Sequence, residues 1–287
     1  MLESSRIMPI TRRKAVQAAA SLGLLSAAAV PASAQGAGRL KQAVCKWCFR
    51  SMTVEELAAE ASKMGIVGID LLNEDEWPLL QKYGLTCSMG QGVCTISDGL
   101  NRKENHALIE ANFRKLLPAA KKAGVPNMIC FSGNRRGVSD AEAWDNCTLL
   151  LKKVTPLAED LGVTIQMELL NSKVNHADYQ CDKTAWGVEL CKRADSPRFK
   201  LLYDIYHMQI MEGDVIRTIQ DNAKYLGHFH TGGNPGRHEI DETQELNYNA
   251  IATAIADLGY DGYFAHEFIP ERDPMTSLRQ AVDICKV

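Results

Sequence analysis

One unit recurs eight times along this chain: a short β-like run, then a helical stretch. The runs fall at residues 43–49, 67–72, 85–89, 127–131, 164–170, 199–205, 225–231 and 262–268. A capping box, Thr53-Val54-Glu55-Glu56, opens the first helix, whose apolar side carries Leu57, Ala58, Ala61 and Met64. Further helical stretches follow at 77–83, 104–123, 140–161, 185–193, 214–221, 248–258 and 274–285. Several of these end in a glycine that leads into the next strand (Gly65, Gly124, Gly162 and Gly259), a residue suited to the left-handed position that closes a helix. Strict β/α alternation argues for a parallel sheet. Eight units in about 250 residues predict a closed (β/α)8 barrel. An open doubly wound sheet is the alternative, but no GxGxxG stands between a strand and a helix. Gly90-Gln91-Gly92 and Gly232-Gly233 are too short and wrongly continued.

The repeat does not reach the start of the 287-residue chain. Residues 1–34 carry Arg6, Arg12, Arg13 and Lys14 against Glu3, then an uncharged stretch at 15–30, then Ala32-Ser33-Ala34. A basic start, an apolar middle and a small-residue site predict a cleaved export signal. Thr11-Arg12-Arg13-Lys14 before a weakly apolar, Ala-rich run resembles a twin-arginine signal, although the Phe-Leu pair common in that class is missing. An ordinary secretory signal is the alternative. The domain reading is therefore a signal at 1–34 and one barrel at 35–287, located in the periplasm or otherwise exported, with the export machinery as a partner. Taking away four basic residues and one acidic residue moves the formal net charge from −3 to −6 and leaves 253 residues.

An acidic mature chain is a poor candidate for sequence-independent nucleic-acid binding. No run of eighteen apolar residues follows the signal, which argues against stable membrane insertion. The nine cysteines are an odd number and several sit in apolar runs such as Met128-Ile129-Cys130-Phe131, so mostly free, buried thiols are expected. Cys45-Lys46-Trp47-Cys48 is formally CxxC, but it falls in an expected strand, where positions i and i+3 face opposite ways. Redox or zinc chemistry is not expected there.

Catalytic groups of such barrels gather at the C-terminal strand ends. Four consecutive strands end in Glu168, Asp204, His230 and Glu267, each set among apolar residues. Buried carboxylates are costly unless paired or bound to a metal. Three carboxylates and one imidazole suit one divalent ion, Mn²⁺ or Mg²⁺ first, with Co²⁺ or Zn²⁺ as alternatives. Each residue taken alone is equally well a loop hydrogen-bond acceptor, and spacing does not establish that they converge.

Several segments resemble hydroxypyruvate isomerase: Phe131-Ser132-Gly133-Asn134-Arg135, Glu168-Leu169-Leu170-Asn171-Ser172-Lys173, Tyr203-Asp204-Ile205-Tyr206-His207-Met208-Gln209, His230-Thr231-Gly232-Gly233-Asn234-Pro235-Gly236-Arg237 and Glu245-Leu246-Asn247-Tyr248. The resemblance runs from Lys46 to Cys285. It places the chain in the xylose-isomerase-like TIM-barrel superfamily, with ketose 3-epimerases as relatives. It implies that Glu168, Asp204, His230 and Glu267 hold the metal and that Glu168 and Glu267 are the catalytic acid/base pair. It further implies that His207 contacts a substrate oxygen and that Arg237 holds a substrate carboxylate or hydroxyl. The implied reaction isomerises a small α-hydroxy carbonyl compound through an ene-diolate. Hydroxypyruvate would give tartronate semialdehyde, and a longer ketose would be epimerised at C3. Export argues against an intracellular metabolite as the substrate.

Other marked residues carry weaker expectations. Arg135-Arg136 read as a solvated loop, Lys173 as a residue near the mouth, and His176, His238 and His266 as local hydrogen-bonding groups. Trp47 either walls the pocket or packs in the core, and Asn247-Tyr248-Asn249 starts a helix. Two other functions stay open: a metal-dependent hydrolase or nuclease on the same scaffold, and an exported binding protein without chemistry. A homo-oligomer is also left open.

Overall fold

The structure, a computed structural model, describes residues 38–287. The export-signal reading of residues 1–34 lies outside the described residues. Eight strands close a barrel in chain order: β1 (Lys41–Cys45), β2 (Gly68–Leu72), β3 (Thr86–Gly90), β4 (Asn127–Cys130), β5 (Thr164–Glu168), β6 (Phe199–Asp204), β7 (Leu226–Thr231) and β8 (Tyr263–His266). Closure is made by β1 on β8, in parallel, from Lys41 opposite Tyr263 to Val44 opposite His266. Strands covered on both faces read as nearly unbroken apolar runs, and Val44, Ile69, Met89, Ile129, Met167, Leu201, Phe229 and Phe264 are all buried.

The outer ring is α1 (Val54–Lys63), α2 (His106–Ala123), α3 (Asp140–Leu161), α4 (Thr184–Ala194), α5 (Ile205–Met211), α6 (Val215–Asn222), α7 (Tyr248–Asp257) and α8 (Pro274–Ile284). The β2–β3 crossover is the 3-10 segment Trp77–Tyr83. The expected capping box forms: Thr53 accepts from the Glu56 N–H, and Glu56 accepts from the Thr53 N–H. The helix-ending glycines Gly65, Gly124, Gly162 and Gly259 all take positive φ. Among the described residues no helix is long and apolar enough to cross a membrane.

Several local expectations change. β1 stops at Cys45, because the Phe49 N–H turns back to the Lys46 carbonyl (3.0 Å) and makes a 3-10 turn of Lys46–Cys48. The two cysteines of the CxxC therefore do not share a strand; all nine thiols are free, and eight of them are buried. The run at 199–205 ends one residue early, at Asp204, and Ile205 opens an unexpected helix, α5. The cause is Asp204, whose carboxylate accepts the His207 N–H (3.1 Å) and so caps a helix. β8 likewise ends at His266, which leaves Glu267 in the loop beyond it.

Candidate active site

At the C-terminal mouth, Glu168, Asp204, His230 and Glu267 each turn one ligand atom to a common point, all within 4.8 Å of one another and all buried. Glu168 is the last residue of β5, Asp204 the last of β6, and His230 the penultimate residue of β7. Glu267 is held in place by its own N–H, which donates to the Thr231 carbonyl (3.1 Å). The Nδ1 atom of His230 lies 2.8 Å from Glu267 Oε2 and 3.3 Å from Glu168 Oε1. It is buried and makes no hydrogen bond. One imidazole nitrogen and three carboxylates aimed at one point form a donor set that a divalent cation satisfies. The residues present thus fit the implied metal.

Arg237 supplies positive charge beside this set. It sits in the loop after β7, with its own φ at 63°. That loop folds so closely on itself that a Cβ on Gly233 would meet the Glu239 carbonyl at 2.1 Å. Glu239 in turn accepts from the N–H groups of Glu271 and Arg272 and from the Ser277 hydroxyl, clamping the loop to the one after β8. The guanidinium packs over Trp47 and Tyr206, 5.5 and 5.1 Å from their ring centres. Its Nη2 donates to Asp204 Oδ2 (2.9 Å) and to Glu267 Oε2.

His207 lies in the first turn of α5. The backbone and side-chain N–H groups of Asn171 both reach its Nδ1, at 3.2 and 2.6 Å. Burial and the nearby Arg237 charge push its pKa well down, so the ring is neutral. Its Nε2 faces the cluster, 2.6 Å from Arg237 Nη1 and 3.7 Å from Asp204 Oδ2.

The two glutamates are pulled apart electrostatically. Burial pushes the Glu168 carboxyl up against the pull of His230, and the charge of Glu267 adds to the rise. Burial acts on Glu267 in the same sense, but Arg237, His230 and a hydrogen bond from Trp47 outweigh it and hold its carboxyl well below the usual range. That hydrogen bond, from Trp47 Nε1 to Glu267 Oε1, is 2.6 Å long. Trp47 therefore belongs to the wall of the site, one of its two readings from sequence.

The weaker expectations sort themselves by contact. Arg136 is exposed and pairs with Asp98 (2.7 Å), while Arg135 pairs with Asp182 (3.0 Å). Lys173 donates to the Ile210 and Met211 carbonyls at the end of α5. His176 packs on His207 with ring centres 5.2 Å apart. His238 stays at the surface against Ile269 and Glu271. His266 is buried against Gln42 Oε1 (2.8 Å), and Asn247 caps α7. Sequence reasoning passed over Asp70, a fully buried carboxylate beneath the cluster, 3.0 Å from His230 Nε2. Its signal was present, as the lone charge in Gly68-Ile69-Asp70-Leu71-Leu72.

With this geometry in place, the relatives can be weighed. Residues 16–286 match the family described as xylose isomerase-like TIM barrel. The chain belongs to this family. It is 35% identical over 109 residues to the 2-oxo-tetronate isomerase of Cupriavidus necator, 38% of this chain and 41% of that protein. It is 32% identical over 114 residues to the hydroxypyruvate isomerase of Escherichia coli, 39% of this chain and 44% of that protein. The chain thus spans less than half the length of these two curated relatives. The crystal structure of D-psicose 3-epimerase with D-tagatose from Clostridium cellulolyticum H10 superposes with a TM-score of 0.73 at 18% identity, covering 86% of this chain and 98% of that one. This last likeness concerns the fold alone.

Proposed function

We propose that the protein is an isomerase of a small α-hydroxy carbonyl compound of the hydroxypyruvate or 2-oxo-tetronate kind, dependent on one divalent ion, Mn²⁺ or Mg²⁺ before Co²⁺ or Zn²⁺. The observation that carries this reading is the convergence of Glu168, Asp204, Glu267 and His230 Nδ1 within 4.8 Å at the barrel mouth. The stretches shared with the two named isomerases support it.

These four residues would hold the ion. When bound, it supplies Lewis-acid stabilisation of the negative charge that develops on two adjacent substrate oxygens. Glu267, kept ionised, is suited to take the proton from carbon. Glu168, with its carboxyl pushed up, is suited to deliver a proton to the neighbouring atom. His207 Nε2 and Arg237 Nη1 lie side by side, 2.6 Å apart, where both would meet a substrate oxygen. Arg237 is the residue suited to a substrate carboxylate, and the ring of Trp47 packs beside it.

The same pair of glutamates would epimerise a ketose at C3 if the proton were returned to the same carbon on the opposite face. The barrel shared with the D-psicose 3-epimerase accommodates that second reading. The export reading of residues 1–34 supports a periplasmic site of action and therefore a keto-sugar or sugar acid over intracellular hydroxypyruvate. The test is a substrate panel in D₂O with Mn²⁺, Mg²⁺ and Co²⁺, followed by NMR. Deuterium at C2 or C3 with formation of the isomer supports the proposal. Absence of exchange into every α-hydroxy carbonyl compound by metal-replete protein overturns it. Metal analysis separates the hydrolase alternative, for which several ions per chain are expected instead of one.

A further inference from the structure

Below the four-residue cluster, the barrel interior holds a buried carboxylate that pairs with no lysine or arginine among the described residues. Asp70 reaches from β2 across to β7, a strand that is not its neighbour. Its Oδ2 lies 2.5 Å from His228 Nε2 and 3.0 Å from His230 Nε2, and its Oδ1 accepts from Ser88 Oγ. An aliphatic side chain would fill this layer without the cost of burying a charge. The backbone is also distorted here. The β2–β3 register shifts on both sides of Asp70, and Leu71, a branched residue, is forced to φ 64°.

We propose that Asp70 is a positioning residue that fixes the tautomer and rotation of the His230 imidazole, so that Nδ1 presents a lone pair to the cation site. The proposal rests on the metal reading above. A carboxylate only accepts hydrogen bonds, so the 3.0 Å contact places a proton on His230 Nε2. Nδ1 faces Glu168, Asp204 and Glu267, and with Nε2 committed to Asp70 it is the nitrogen left to give a lone pair to a bound cation. The ring also packs at right angles to His228, with centres 5.3 Å apart, and His228 is tied to the same Asp70 oxygen. Asp70 thus orients the only nitrogen donor of the set from the side opposite the ion, an arrangement that typically contributes ten- to a hundredfold to metal affinity.

Full-length wild-type protein and D70N are titrated with Mn²⁺, with the free ion read by EPR. The expected result is binding weakened by about ten- to a hundredfold in D70N, with the far-UV CD unchanged. Affinity within about twofold of wild type in folded D70N overturns the proposal. Should D70N fail to fold, the wild-type protein decides. In a ¹⁵N-histidine-labelled, Zn²⁺-loaded sample, the His230 proton is expected on Nε2, and a proton on Nδ1 overturns the proposal. A wild-type chain that binds no divalent ion overturns this proposal together with the metal reading. Metal binding without turnover on any substrate overturns only the proposed activity.

Discussion

Trp47 and Glu267 join the two ends of the barrel at the four-residue cluster. The indole N–H of Trp47, in the turn after β1, donates 2.6 Å to Glu267 Oε1, one residue past β8. The seam where the chain closes on itself therefore also sets one of the two proposed acid/base carboxylates. A hydrogen bond to the charged form lowers a carboxyl pKa.

Replacing Trp47 with Phe keeps the ring and removes this donor. A hydrogen bond to a charged group contributes about 1.5–3 kcal/mol, so turnover should fall by roughly ten- to a hundredfold. The Glu267 pKa should rise, moving the acid limb of the kcat/KM profile to higher pH. The profile of purified W47F checks both effects, and an unmoved acid limb would show that this contact does not tune Glu267.

Glu168→Gln and Glu267→Gln keep the shape of the site and remove the proposed proton donor and acceptor respectively. Each should lower solvent-deuterium exchange into the substrate by about 10²- to 10⁴-fold. NMR of the exchange reaction, with CD as the check on folding, measures this. Retention of exchange in either variant contradicts its role in proton transfer.

Mn²⁺ should stabilise the fold. At about a hundred times its dissociation constant, a ligand specific for the native state adds about 2.7 kcal/mol, which raises Tm by roughly 5–10 °C in a chain of this size. A chelator should reverse the shift. Asp204→Asn should abolish most of it while sparing α5, because Asn caps helices as well as Asp does. Differential scanning fluorimetry with and without metal reads the outcome.

His266 gives a stability test away from the catalytic chemistry. Burial lowers its pKa from 6.5 to about 3. The unfolded chain then binds a proton that the native state refuses, so this stabilisation is complete above pH 6.5 and is lost as pH falls towards 3. His266→Gln does not titrate. The stability difference between wild type and H266Q should shrink below pH 6.5, at up to about 1.4 kcal/mol per pH unit. Urea unfolding at pH 7, 6 and 5 follows it, and a difference that stays constant across that range refutes it.

Much of this architecture is legible in local pattern. Alternation of apolar runs and amphipathic stretches names the β/α units, and helix-ending glycines such as Gly124 and Gly162 mark their joints, because these signals depend only on near neighbours in the chain. Glu168, Asp204, His230 and Glu267 stand out as polar residues ending apolar runs. α5 was not legible. Ile205 reads as the end of the strand and no helix is expected before residue 214; only the Asp204 carboxylate turning back on the His207 N–H makes a helix there.

The sequence by itself determined the repeat, the strand ends and the chemical types that occupy them. Only the tertiary structure decided that those types meet. Barrel closure brings Trp47 to Glu267 across 220 positions and Asp70 to His230 across 160. Such contacts leave no periodicity in the chain, because they are set by strand register and barrel radius. In sequence Asp70 is one charge in a buried strand; the closed barrel places it behind the imidazole of the cluster.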